Sequence, residues 1–201
     1  GTVNLTSSAT SNSGSGPVTL INENFNGATN SWTKINNTTG GIPAEAAWIL
    51  RPNNYNSGSS YGVNISSNDS SQFYLSDSDL PGSGSVTETI LQSPAFSTVG
   101  LSSASLSFYN YFRYLNGSAA VEISTDGTNW TGLTTYTSNQ GSSTSFVQAT
   151  LDLGGYLAQS TVYIRFKYNS SWGYYWAIDN VLVSGTYTSV PETYAWTSTP
   201  S

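Results

Sequence analysis

The chain has 201 residues, enough for one sizeable hydrophobic core or two small ones. Charged residues make up 8% of it, five basic and eleven acidic, for a net charge of −6. That balance lacks the clustered Lys and Arg that neutralise phosphates, which excludes a nucleic acid partner. No apolar run approaches the roughly 20 residues that span a bilayer, so no membrane insertion is expected. Residues 1–17, "GTVNLTSSATSNSGSGP", are rich in Ser, Thr and Gly and are expected to form a linker. Ten apolar runs follow, separated by turn residues: 18–22, 47–50, 61–65, 72–76, 86–92, 104–112, 119–124, 146–151, 161–167 and 175–183. Their length and spacing predict an all-β fold of two antiparallel sheets. In the ninth run Val162, Ile164 and Phe166 alternate with Tyr163, Arg165 and Lys167, so one face is buried and one is wet. Only "GGYLAQ" (154–159) suggests a helical turn. Residues 186–201 are expected to be a second linker, with "YAWTSTPS" entering a following Ig-like domain. The domain proper is then 18–185, with neighbouring domains of the same long chain beside it.

The composition narrows the chemistry. There is no Cys and no His, so thiolate or imidazole metal sites, disulfides and the usual general base are absent. Tyr, Phe and Trp number 14, 7 and 6, against a surface of neutral polar residues, which suits an extracellular β-protein.

The last run, "YWAIDNVLV" (175–183), holds a carboxylate in an otherwise apolar strand. Trp176 and Ile178 share one face, whereas Val181 and Val183 have the opposite parity. One extra residue at Asp179–Asn180, a β-bulge, would bring all four to the same side. Asp179 would then project at the edge of the core. A buried carboxylate needs a partner. Two remain open: an ion pair with Arg165 or Lys167, or a hard cation held by oxygen donors.

"INENFNG" followed by "SWT" near the start, "LQSPAFS" in the middle, "DLGGYLAQSTVYIRFKY" and the closing "AIDNVLVSG" together resemble the cleaved-adhesin or choice-of-anchor J domain of Bacteroidetes-type secreted proteins, a relative of the MAM domain. The likeness spans about residues 20–185. It implies a jelly-roll β-sandwich, secretion by the type IX route to the bacterial cell surface, structural Ca²⁺ and no catalysis. It also implies that an acid of the first strand meets an acid of the last, which here are Glu23 and Asp179. Asp77 and Asp79 of "LSDSDLPGSG" match the family's middle acidic stretch and are further metal candidates. The Asp/Gly-rich loop that follows the first Trp in the family is here "TKINNTTGGIPAEAAW", whose only acid is Glu45.

Other signals admit plainer readings. "STDGTNW" (124–130) is similar to a sialidase Asp-box but occurs once, and Asp126-Gly127 is expected to turn a hairpin. Asp77 and Asp79 could form a glycosidase pair, but adjacent acids in a Ser/Gly-rich loop more often cap a turn or hold a cation. Tyr111, Arg113, Trp172 and Tyr174 lie in two aromatic-rich segments; such rings stack on sugars when exposed and build core when buried. The function expected is a non-catalytic adhesin-type binding module for a glycan or cell-surface partner. The alternatives are an accessory domain of a secreted hydrolase such as a protease, and a structural stalk repeat.

Overall fold

The computed structural model describes residues 3–10, 16–58, 62–188 and 193–200; the side chains of 3–10 and 193–200 are not described. Fifteen strands occur in chain order among the described residues. They are β1 (Val3–Thr10), β2 (Gly16–Glu23), β3 (Thr33–Asn36), β4 (Ile49–Arg51), β5 (Tyr55–Asn56), β6 (Asn64–Ile65), β7 (Phe73–Asp77) and β8 (Thr87–Gln92). After them come β9 (Leu101–Arg113), β10 (Ser118–Ser124), β11 (Thr131–Tyr136), β12 (Val147–Asp152), β13 (Tyr163–Ser170), β14 (Tyr175–Tyr187) and β15 (Thr193–Pro200). Each of the ten apolar runs contributes a strand, although Tyr61 of the third lies outside the described residues. Helical geometry among the described residues is limited to 3-10 turns at Pro43–Ala46 and Gly154–Tyr156, the second within "GGYLAQ".

Two antiparallel sheets form a jelly-roll β-sandwich. One runs β11-β10-β13-β8-β3; the other runs β12-β9-β14-β7-β4, with β2 also paired to β14. The alternation in β13 decides its facing. Val162, Ile164, Phe166 and Tyr168 are fully buried between the sheets, while Arg165 and Lys167 lie on the outer face. They meet Leu106, Phe108, Phe112, Trp176 and Ile178 from the opposite layer. Phe166 is edge-on to Trp176 at 5.6 Å and to Phe108 at 5.0 Å, arrangements that aromatic quadrupoles favour. Shortening Ile164 to Val removes one methylene from this seam. It is expected to lower stability by about 1 kcal/mol, read as a lower urea midpoint with unchanged slope.

The six-stranded sheet is covered on its outer face too. Phe73, Leu75, Tyr111, Tyr175 and Ala177 form a second cluster there, roofed by Ile65 and Phe146 from the long connections. These strands are therefore apolar on both faces, which explains their near-continuous hydrophobic runs.

The parity shift in β14 is present. The ladder with β9 slips between Asp179 and Leu182, and Asn180 takes a left-handed φ of 49°. Trp176, Ile178, Val181 and Val183 consequently share the main core. The bulge coincides with a change of neighbour: β14 pairs with β7 over Tyr175–Ile178 and with β2 over Val181–Tyr187. On that side of the strand, β2 ends and β7 begins at the same place.

Two strands, β3 and β5, have no signal in the sequence: all four residues of β3 are exposed, and β5 has only two residues. The segments expected to be linkers carry β1 and β15, which pair with each other from Val3↔Pro200 to Thr10↔Thr193. Residues 1–2, 11–15, 189–192 and 201 of those segments lie outside the described residues.

Candidate functional site

Two places hold unusual chemistry, and both are consequences of β14. The first is the bulge. Asp179 has no exposed surface. Its Oδ1 accepts the backbone N–H of Asn180 at 2.7 Å, while Oδ2 is buried with no hydrogen-bond partner. Burial pushes the carboxyl up to about 7, and the nearby Asp69 charge adds to the rise. Asp69 comes from the loop that leads into β7. Its Oδ1 accepts the Ser67 hydroxyl and the Ser71 N–H, both at 3.0 Å, and its Oδ2 accepts the Asn180 amide at 3.0 Å. Burial opposes its ionisation, but the bonds from Ser71, Asn180 and Ser67 hold it below the usual carboxylate range.

Glu23 ends β2 opposite Val181 and turns its Oε1 onto the Phe25 N–H at 2.8 Å. Phe25 itself is in the left-handed region. The Gln72 amide then bridges the carbonyls of Phe25 and Gly27. The break between β2 and β7 therefore brings the carboxylates of Asp179 and Asp69 to the hydroxyls of Ser67 and Ser71, with one buried carboxylate oxygen left unpartnered. Carboxylates and hydroxyls are donors a hard dication such as Ca²⁺ takes, so the residues present fit one. Asp69 was not singled out in the sequence. Its "SSNDSS" setting looks like an ordinary polar turn, and only folding brings it to Asn180.

Arg165 and Lys167 are not the partners of Asp179. Both lie in the other sheet, where Arg165 binds Glu122 at 2.5 Å and stacks on Trp130, and Lys167 faces Glu88 at 3.9 Å. The ion-pair alternative is thereby removed. Adjacent strands in sequence need not be adjacent in a sandwich.

Asp77 and Asp79 belong elsewhere. Asp77 sits opposite Tyr175, at the far end of the β7–β14 ladder from the bulge. Its Oδ1 accepts the N–H groups of Asp79 and Leu80, capping the turn after β7. Its Oδ2 is buried without a partner, and burial raises its carboxyl to about 7 against those two bonds. Among the described residues no group of three or more acidic side chains is placed to hold a metal ion. Asp126 turns the β10–β11 hairpin as expected, accepting bonds from Thr128, Asn129 and Ser124 that hold its carboxyl far below the usual range.

The second place is the loop entering β14. Tyr111 is buried, and Arg113 lies over the Tyr174 ring at 4.0 Å while donating to the Tyr175 hydroxyl at 3.2 Å. Three of the four aromatic-segment candidates thus pack around Tyr175. Trp172 differs: it is 50% exposed and has a φ of 51°, a rare backbone state for a bulky residue. The segment around it is pinned. The Asn116 amide donates to the Ser171 carbonyl at 2.9 Å, and its Oδ1 accepts the Ser171 N–H at 3.1 Å and the Ser170 hydroxyl at 2.7 Å. On the other side, the Gly173 N–H donates to Ser78 Oγ at 3.1 Å.

An antiparallel sandwich hosts enzymes and binding modules alike. No protein-family model and no curated protein matches the sequence. Among solved structures, the K3 cleaved adhesin domain of Lys-gingipain from Porphyromonas gingivalis is 20% identical, with a TM-score of 0.55 over 84% of this chain and 99% of that one. The K1 cleaved adhesin domain of the same protein is 20% identical, with a TM-score of 0.55 over 91% and 98%. The Clostridium thermocellum xylanase 10B structure, comprising CBM22-1 and GH10 modules complexed with xylohexaose, is 10% identical with a TM-score of 0.50; the match covers 86% of this chain and 29% of that one. The chain has the fold of the cleaved adhesin domains, as its resemblance to them implied.

Proposed function

We propose that this chain is a non-catalytic, adhesin-type binding module of a large secreted or cell-surface bacterial protein, taking a glycan or a surface partner and stabilised by structural Ca²⁺. One observation carries the reading: Trp172 is held half exposed, in a strained backbone state, on a loop that Asn116 and Ser78 pin from both sides. Strain of this kind persists only where surrounding structure maintains it, and it concentrates at binding sites. A rigid displayed ring loses little entropy on binding. The adhesin-domain fold and the neutral, aromatic-rich composition support the same assignment. So does the lack of His and Cys, which leaves only carboxylates for hydrolytic work.

The domain is taken as 18–185, with neighbouring domains on either side and type IX secretion as its route. Ca²⁺ would sit at the β2–β7 break, held by Asp179 and Asp69 with Glu23 fixing the turn at Phe25. The second reading is an accessory domain of a secreted hydrolase. The match inside a much longer xylanase chain favours it over a stalk repeat.

The test is a glycan array probed with the wild type and with Trp172→Ala. Binding to a defined glycan class, weakened about tenfold or more in the variant, is the expected result. An array on which the wild type binds nothing, together with turnover of any glycoside or peptide, would reverse the reading.

A further inference from the structure

A surface groove of about 470 Å³ has Ser171, the chain neighbour of Trp172, in its wall, and none of the candidate residues read from the sequence lines it. Its walls come from three chain segments: Val86, Thr87 and Glu88 at the start of β8, Asn116 and Gly117 before β10, and Asn169, Ser170 and Ser171 at the end of β13. That volume lies within the range of small-ligand sites.

The groove is built to a fixed shape. Gly117 has a φ of 84°, and a Cβ there would lie 2.0 Å from the Asn169 carbonyl oxygen. Only glycine lets the β9–β10 turn approach β13 so closely. The three Asn116 hydrogen bonds already described then lock that turn to the Ser170–Ser171 wall. Trp172 is the next residue in the chain, so the same bonds set where its ring emerges.

The polar groups that line it differ in availability. Asn116 is consumed by the lock. Asn169 lies opposite Glu88 on the β13–β8 ladder and is half-buried, and its amide can both donate and accept. Glu88 accepts the Asn37 amide at 3.1 Å with Oε1, which is also the atom nearest Lys167, and its carboxylate is 41% exposed. Val86, 51% exposed, adds an apolar patch. A carboxylate, an amide and a small apolar patch, with a half-exposed indole one residue beyond the Ser171 wall, suit a ring with one apolar face and several hydroxyls. Glu88 is the one acidic side chain lining the groove, with Lys167 at 3.9 Å on its far side, and the chain as a whole carries a net charge of −6. An anionic sugar would set like charge against Glu88.

Resting on the binding-module reading, we infer that this groove, with Trp172 at its rim, is a subsite for a neutral hexopyranose or pentopyranose unit. The sugar stacks on Trp172, and its hydroxyls bond Asn169 and Glu88.

Isothermal titration calorimetry on the whole chain tests this with cello-, xylo-, galacto- and mannohexaose as neutral probes and a galacturonate hexamer as the acidic one. At least one neutral hexamer is expected to bind about tenfold or more tightly than the uronate. Trp172→Ala and Asn169→Ala should each weaken that binding about tenfold or more, while Trp172→Tyr retains most of it. Glu88→Gln should narrow the gap between neutral and acidic probes. Neutral binding that survives both Trp172→Ala and Asn169→Ala in folded variants overturns the groove and leaves the binding module standing. Preference for the uronate overturns the neutral class. Failure of every hexamer, joined by a blank array, overturns the sugar subsite and leaves a surface partner as the occupant of the binding module.

Discussion

Calcium is expected to raise the thermal midpoint at pH 7.5 and to do little at pH 5, and EDTA is expected to remove the gain. The physical origin is Asp179. In the folded chain its carboxyl is raised to about 7 by burial, and Asp77 behaves alike at the other end of the β7–β14 ladder. Both groups hold protons in the folded state at pH values where the unfolded chain, near 3.8, has released them. For a raised acid the sign is fixed: the folded state binds more protons between about pH 4 and 7, so stability falls as pH rises through that window and is level above it. The loss is on the order of a few kcal/mol per group. The bonds that lower Asp69 and Asp126 act in the opposite sense and are lost only in stronger acid. Without metal, the chain is therefore expected to be most stable near pH 4–5.

A dication at the bulge would replace the proton on Asp179. At a free Ca²⁺ concentration a hundred times Kd the gain is about 2.7 kcal/mol, or roughly 5–10 °C for a domain of this size. Thermal unfolding from pH 4 to 8, with EDTA and with Ca²⁺, gives both curves. Asp179→Asn should abolish the calcium response without lowering the metal-free midpoint at pH 7.5, because it removes a desolvated charge. Asp77→Asn should leave the calcium response intact and flatten only the pH slope. A midpoint indifferent to Ca²⁺ and EDTA at every pH would eliminate the cation and leave a protonated Asp179 as the folded form.

Trp176→Ala is expected to be the most damaging single substitution, at about 3–5 kcal/mol. Its ring lies fully buried within 6.3 Å of Trp48, Phe112 and Phe166, centroid to centroid, so it joins both layers of the sandwich. Its Nε1 donates to the buried Asn110 Oδ1 at 3.3 Å, and the Asn110 amide donates in turn to the Val147 carbonyl on β12. Truncation leaves a cavity and strands the Asn110 oxygen without a donor. For a domain whose whole stability is of order 5–15 kcal/mol, much of the margin is gone. Trp176→Phe keeps most of the volume and should cost less, the difference reporting the lost hydrogen bond. Guanidinium unfolding of both variants settles the order. Equal midpoints for wild type and Trp176→Ala would mean that the two layers are joined elsewhere.

Much of the architecture is local information. The ten apolar runs, the alternation of Val162, Ile164 and Phe166 against Tyr163, Arg165 and Lys167, and the parity conflict between Ile178 and Val181 are all periodicities of two. Period two is a property of strand geometry itself, so the strands, the buried faces and the bulge at Asp179–Asn180 were legible without coordinates. The Asp126-Gly127 hairpin was legible for the same reason, since its hydrogen bonds close within three residues. Strand β3 was not, because an exposed edge strand needs no apolar face and leaves no pattern. Which strands lie side by side was also beyond local pattern. Arg165 and Lys167 are near Asp179 in sequence, yet sheet order places them in the opposite layer and supplies Asp69, 110 residues away, as its neighbour through Asn180. The groove has the same character: Glu88, Asn116 and Asn169 share it only because β8 and β10 both pair with β13. Residue type and spacing determined how each segment of this protein folds. The tertiary structure alone decided which polar side chains meet, because sheet pairing is a long-range choice that local periodicity does not encode.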